Sequence, residues 1–92
     1  MKHLNIEIFG KVQGVYYRLT CKSVADQLGV KGFALNRPDG SVYVEAEGDD
    51  FSLESLLEFC KEGPERAEVT SVKTEEGPLQ HFKNFEVIKK IK

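Results

Sequence analysis

Ninety-two residues, 40% hydrophobic and 30% charged, suit one globular domain over residues 1–92, with a modest core that needs neither disulfides nor a metal. Thirteen basic residues against fifteen acidic ones leave a formal charge of −2, which argues against the broad positive field of a nucleic-acid or anionic-membrane binder. No run approaches the ~20 apolar residues that span a bilayer. The first apolar positions alternate with His3, Asn5 and Glu7 instead of building a signal peptide, so the expected compartment is the cytoplasm.

Leu4, Ile6 and Ile8 alternate with polar neighbours, the period of a strand with one buried face, and Gly10 is expected to end it. Residues 11 to 18 read as a Gly-containing loop. Tyr17, Cys21, Val24, Ala25 and Leu28 then recur at spacings of three and four along one side of a helix that stops at Gly29. Phe33 and Leu35 share one side of a second strand, Pro38-Asp39-Gly40-Ser41 reverses the chain, and Val42, Val44 and Ala46 mark a third strand.

Asp49 or Asp50 caps a second helix that carries Leu53, Leu56, Leu57 and Cys60 on one stripe and ends at Gly63-Pro64. Ala67, Val69 and Val72 suggest a fourth strand whose alternation slips after Val69, as at a bulge. Phe85 and Val87, with Phe82 nearby, suggest a last short strand. The order strand, helix, strand, strand, helix, strand folds most simply as an α+β, ferredoxin-like βαββαβ sandwich. In it an antiparallel sheet carries both helices on one face, here with a short extra C-terminal strand. That architecture hosts many functions, so function has to come from particular residues.

The run Gly10-Lys11-Val12-Gln13-Gly14-Val15-Tyr16-Tyr17-Arg18 joins the first strand to the first helix. Backbone N–H groups at a helix N-terminus have no intrahelical partner, and the helix dipole adds positive charge there, which makes a seat for an anion. Gly14 permits the curvature that lets successive amides converge, and Arg18 supplies a planar fork matched to phosphate oxygens. The same residues also suit a turn glycine and a solvated arginine, and on the residues alone both readings stay open. A nucleotide-binding P-loop is excluded, because Val15 follows Gly14 where that motif requires Lys.

This run resembles the acylphosphatase signature G-x-V-Q-G-V-x-F-R, departing from it only in Tyr17 for Phe. The run Gly32-Phe33-Ala34-Leu35-Asn36-Arg37-Pro38-Asp39-Gly40-Ser41-Val42 resembles that family's second motif, with Phe33 where Trp is common and Leu35 where a basic residue is common. Gly63-Pro64 with Ala67 and Val69, and the Phe82, Phe85 and Val87 pattern, extend the likeness over nearly the whole chain. The resemblance implies the sandwich fold and hydrolysis of acyl phosphates. It further implies Arg18 and the amides of Gln13, Gly14, Val15, Tyr16 and Tyr17 as phosphate ligands, and Asn36 as the residue that positions water. It favours a monomer.

Acyl phosphate chemistry suits what these motifs lack. The leaving carboxylate has a conjugate acid of pKa roughly 4, so it departs without a general acid. Phosphoryl transfer then asks mainly for positioning and fixed positive charge. Asn36 cannot act as a base, yet its amide both donates and accepts, which orients a water; without the resemblance, a turn former before Pro38 explains it as well.

The remaining chemistry-bearing residues take structural readings. Cys21 and Cys60 have no partners at metal-ligand spacing and read as reduced, mostly buried thiols in preference to redox groups. Asp49 and Asp50 read as helix caps in preference to metal ligands, and neither a metal nor another cofactor is expected. His3 and His81, in polar surroundings, are expected to be solvated, as is the Lys89-Lys90-Ile91-Lys92 tail. One of Tyr16 and Tyr17 is expected to pack beneath the loop, and Lys11 reads as a surface lysine able to attract an anion.

Two other classes compete. Lys31-Gly32-Phe33-Ala34-Leu35 resembles the opening of an RNA-binding motif, but Leu35 replaces the first stacking aromatic, Asn36-Arg37-Pro38 interrupts the strand, and the charge balance opposes backbone tracking. A non-catalytic phosphate-binding module is the other alternative, and binding without turnover would distinguish it.

Overall fold

Five strands and two helices follow in the order β1 (Lys2–Lys11), α1 (Tyr17–Leu28), β2 (Lys31–Asn36), β3 (Val42–Gly48), α2 (Asp50–Glu62), β4 (Glu68–Gly77) and β5 (Phe85–Ile88). The computed structural model describes residues 1–89; of the basic tail, Lys89 is exposed and 90–92 lie outside the described residues. The strands form one sheet in the order β4-β1-β3-β2-β5. Ile6 and Ile8 of β1, Val42, Val44 and Ala46 of β3, and Ala34 of β2 are buried on one face. There they meet Cys21 and Ala25 of α1 and Leu53, Leu56 and Cys60 of α2, so the core matches the apolar periods of β1, β3 and the helices, whereas in β2 it is Ala34 that faces the core and the pair Phe33 and Leu35 lies on the other side of the strand. No helix among the described residues is long and apolar enough to cross a membrane.

The local stop and start signals act as their chemistry dictates. The Asp49 side chain accepts the Ser52 N–H at 2.7 Å as the cap of α2. Gly29 ends α1 at φ 75°, its N–H turned back to the carbonyls of Ala25 and Asp26. The slip in β4 is a bulge: Phe9 pairs with Ser71 but Gly10 with Val69, leaving Thr70 as the extra residue.

Four expectations are corrected. Gly10 does not end β1, which continues to Lys11; its φ of 126° takes the strand past the bulge, where a Cβ would stand 2.1 Å from the Glu68 carbonyl oxygen. The loop is shorter than 11 to 18, because α1 already begins at Tyr17. The sheet is mixed, since β5 runs parallel to β2 at the edge of the otherwise antiparallel strands.

The fourth concerns His3, which is buried at 3% exposure instead of solvated. Its Nδ1 lies 2.7 Å from Glu47 Oε2, and its Nε2 lies 2.8 Å from Asn5 Oδ1 and 3.1 Å from Glu45 Oε1. All three partners are acceptors, so both ring nitrogens carry hydrogen and the imidazolium is favoured. Burial opposes that charge, but the bonds to Glu47 and Asn5 and the charges of Glu45 and Glu47 outweigh it, raising the pKa above its ordinary value. His81 is exposed as expected.

The same cluster explains the parallel strand. A parallel edge requires the chain to cross the sheet between β4 and β5, and Glu47 holds that crossing by accepting the backbone N–H groups of Gln80 and, at 3.2 Å, Phe82. Phe82 then stacks on His3 at 5.9 Å and meets Phe33 edge-on at 5.7 Å, and the Asn84 carbonyl accepts the Gly32 N–H at 2.9 Å. This delivers Phe85 beside Gly32 and Ile88 beside Leu35.

Candidate active site

Val12 and Val15 are 1% and 6% exposed, so their burial in the core pins the connection between β1 and α1 from beneath. Gly14 and Tyr16 curve it through left-handed φ of 74° and 62°. Glycine takes that conformation freely, whereas an aromatic residue there is strained. Tyr16 occupies the N-cap of α1 and makes no side-chain cap bond, and among the described residues no side chain bonds the first-turn amides.

Tyr17 turns inward, as expected of one of the two tyrosines, and its hydroxyl donates to the Cys60 carbonyl at 2.7 Å. Burial, then the Cys60 and Cys21 neighbours, push its pKa far above the usual phenol range, so it is no proton donor to a ligand. Cys21 and Cys60 are both free and buried. The bond to Cys60 and then burial push the Cys21 thiol up, in keeping with a structural role.

Two contacts tie this connection to distant strands. The Gln13 carboxamide Nε2 donates to the carbonyls of Arg37 and Ser41, at 2.8 and 2.9 Å, and so clamps the β2–β3 reversal against the loop. Arg18 Nη1 donates to the Ile88 carbonyl at 2.8 Å, and among the described residues no other group engages the guanidinium. The reversal is itself rigid: Asp39 Oδ1 accepts the N–H and hydroxyl of Ser41 at 2.9 and 2.6 Å.

Asn36 closes β2 at the same end of the sheet, and its Oδ1 is buried with no hydrogen-bond partner among the described residues. Such an atom is costly unless something pairs with it. Arg18 and Asn36 line one cavity of about 330 Å³ together with Val12, Gly14, Tyr16, Tyr17 and Leu19, and Arg18 is the one charged side chain among them. A larger hollow of about 530 Å³ lies on the open sheet face, but there Arg37 is already paired with Glu7 and stacked at 4.1 Å on Tyr43. The smaller cavity is the one that brings Asn36 beside an arginine fork.

Of the residues singled out in the sequence, Gly14, Tyr16, Tyr17, Arg18 and Asn36 therefore meet in one place. Gln13 and Val15 do not line the cavity, because one carboxamide is spent on the hairpin and the other side chain is in the core. Leu19 was missed, although its position off the apolar stripe of α1 while itself apolar was a signal. The Ile88 carbonyl was also missed, and no local signal marks it.

A family model described as Acylphosphatase matches residues 4–87. An acylphosphatase of Marinobacter nauticus is 48% identical over 79 residues, covering 85% of this chain and 86% of that one. One from Thermotoga petrophila is 42% identical over 87 residues, covering 95% and 97%. The crystal structure of acylphosphatase from Bacillus subtilis superposes with a TM-score of 0.93 at 32% identity, covering 96% of this chain and 99% of that one. On this evidence, together with the shared fold and the two motifs that meet in the cavity, the chain belongs to the acylphosphatase family of enzymes.

Proposed function

We propose that the cavity hydrolyses acyl phosphates, with Arg18 and the amides of Gln13 to Tyr17 gripping the phosphoryl group and Asn36 steering the attacking water. One observation carries the assignment: Asn36, whose buried Oδ1 has no partner among the described residues, lines the same cavity as Arg18, the one charged residue among the described lining groups. A water held by the Asn36 carboxamide lies beside a phosphoryl group bound to the arginine. Its oxygen attacks phosphorus in line with the bridging oxygen, the phosphorus–bridge bond breaks, and the electron pair leaves with the carboxylate.

The leaving carboxylate is stable unprotonated at neutral pH, since its conjugate acid titrates near roughly 4. The water proton passes to a phosphate oxygen of the substrate. The guanidinium and the uncapped end of α1 stabilise charge on the equatorial oxygens, which is the main task in such a transfer.

Residues 1–92 act on this reading as one domain and a cytoplasmic monomer that engages neither nucleic acid nor membrane. The negative net charge supports the lack of a nucleic-acid or membrane partner, and the two unbridged core thiols suit a reducing compartment. The test is the ultraviolet absorbance of benzoyl phosphate with purified protein and no added metal. Accelerated loss is expected; saturable binding of phosphate without any turnover would favour the non-catalytic module and overturn the proposal.

A further inference from the structure

The cavity offers more than a phosphate seat. Of its apolar lining residues, Val12 and Tyr17 are buried in the core, whereas Tyr16 and Leu19 are 71% and 54% exposed. Three residues apart across the start of α1, they stand on one side of the helix, beside the turn that carries Arg18.

Tyr16 is an improbable residue for its position on local grounds alone. A left-handed φ of 62° favours Gly or Asn, and an N-cap favours Ser, Thr, Asp or Asn. An aromatic ring left in solvent gains nothing from burial. The backbone there is nevertheless held firmly, since the Tyr16 carbonyl accepts both the N–H and the hydroxyl of Thr20, at 3.0 and 2.9 Å. A strained backbone presenting an unburied ring at a binding cavity is where a ligand contact is expected to compensate.

We infer that Tyr16 and Leu19 form an apolar lip that receives the acyl group, so that acyl phosphates with aromatic or bulky aliphatic acyl groups are preferred over acetyl-sized ones. This rests on the acyl phosphate reading above. With the phosphoryl group on Arg18, the acyl carbon lies one bridging oxygen away, and its substituent has to leave the polar seat over whatever surface rims it. The lip is the exposed apolar part of that rim, and covering it removes apolar area from water in the bound complex.

The experiment compares kcat/KM for benzoyl phosphate and acetyl phosphate in the wild type, Tyr16→Asn, Tyr16→Phe and Leu19→Ser. Asn suits both the left-handed backbone and the cap, so Tyr16→Asn is expected to fold at least as stably as the wild type, which thermal unfolding checks. The ratio of the two kcat/KM values should favour benzoyl phosphate in the wild type. It should fall roughly tenfold in Tyr16→Asn, fall severalfold in Leu19→Ser, and hold in Tyr16→Phe, which keeps the ring.

A ratio unmoved in folded Tyr16→Asn and Leu19→Ser, whether or not both rates drop together, overturns the lip and leaves the hydrolase intact. Turnover of neither substrate by the wild type overturns the hydrolase reading itself, and the lip with it.

Discussion

Arg18 reaches across seventy positions of sequence to place its Nη1 2.8 Å from the carbonyl oxygen of Ile88. The parallel register that sets Ile88 opposite Leu35 brings this carbonyl to the end of β2, one residue before Asn36. The short edge strand thus orients the guanidinium of a residue that lines the cavity. Replacing Arg18 by Ala removes the charge and the fork. We expect kcat/KM for benzoyl phosphate to fall about 10³-fold, with a near-native circular dichroism spectrum. Arg18→Lys should recover little, because an ammonium reproduces neither the fork nor the tie to Ile88 together. Near-normal activity in a folded Arg18→Ala protein would remove Arg18 from the mechanism.

Asn36→Ala tests a different step. A residue that steers water contributes to the transition state and little to ground-state binding of phosphate. The expected pattern is a fall in kcat of roughly 10²-fold, with the inhibition constant of inorganic phosphate held within about threefold. Equal losses in turnover and in phosphate inhibition would instead make Asn36 a phosphate ligand.

Gln13 acts through its neighbours. Its two bonds, to the carbonyls of Arg37 and Ser41, hold the loop of Gly14 against the hairpin that follows Asn36. Gln13→Ala leaves two carbonyls without this donor and should cost about 1–3 kcal/mol of stability, while lowering kcat more than it raises KM. Gln13→Glu should be worse than Ala, since a carboxylate would face two carbonyl oxygens. Urea unfolding and steady-state kinetics on the same preparations check both, and a Glu variant that matches the wild type would dismiss the clamp.

The buried pair of His3 and Glu47 makes stability depend on pH in a defined window. His3 is raised above its ordinary 6.5, so its contribution is full below that value and is lost as pH rises through the folded pKa. Glu47 is lowered from 4.5: burial opposes this, but the N–H groups of Gln80 and Phe82 and the His3 ring overcome it. Its contribution is present above 4.5 and is lost as pH falls through the lowered value. The pair therefore stabilises most between about 4.5 and 6.5. The stability gap between the wild type and His3→Gln should be largest at a pH inside that window and shrink toward alkaline pH. Glu47→Ala should cost on the order of 3 kcal/mol, because it strands both His3 and the crossing segment. A gap independent of pH would mean that His3 is neutral in the folded protein.

Much of this molecule is written in short-range pattern. Alternation at Ile6 and Ile8, or at Val42, Val44 and Ala46, yields strands because every second side chain falls on one face. Asp49, Gly29 and Gly63 bound helices through bonds that span only a few residues. The break in period after Val69 was legible for the same reason, and so was the loop of Gly14 with Arg18 behind it, because the whole motif lies within nine residues.

What the linear order could not disclose depends on contacts between segments far apart. His3 reads as solvated because its neighbours in sequence are polar, yet it is buried by Glu47 and by a segment that arrives some eighty residues later. The direction of β5 follows from where Glu47 pins the crossing chain, and Ile88 meets Arg18 only as a consequence. Residue types and local elements were determined by the sequence itself, because period, turn and cap energies act over a few residues. The meeting of Arg18, Asn36 and Ile88 was decided by the tertiary structure, because it is the packing of β2 between β3 and β5, beneath α1, that brings those distant groups to one end of the sheet.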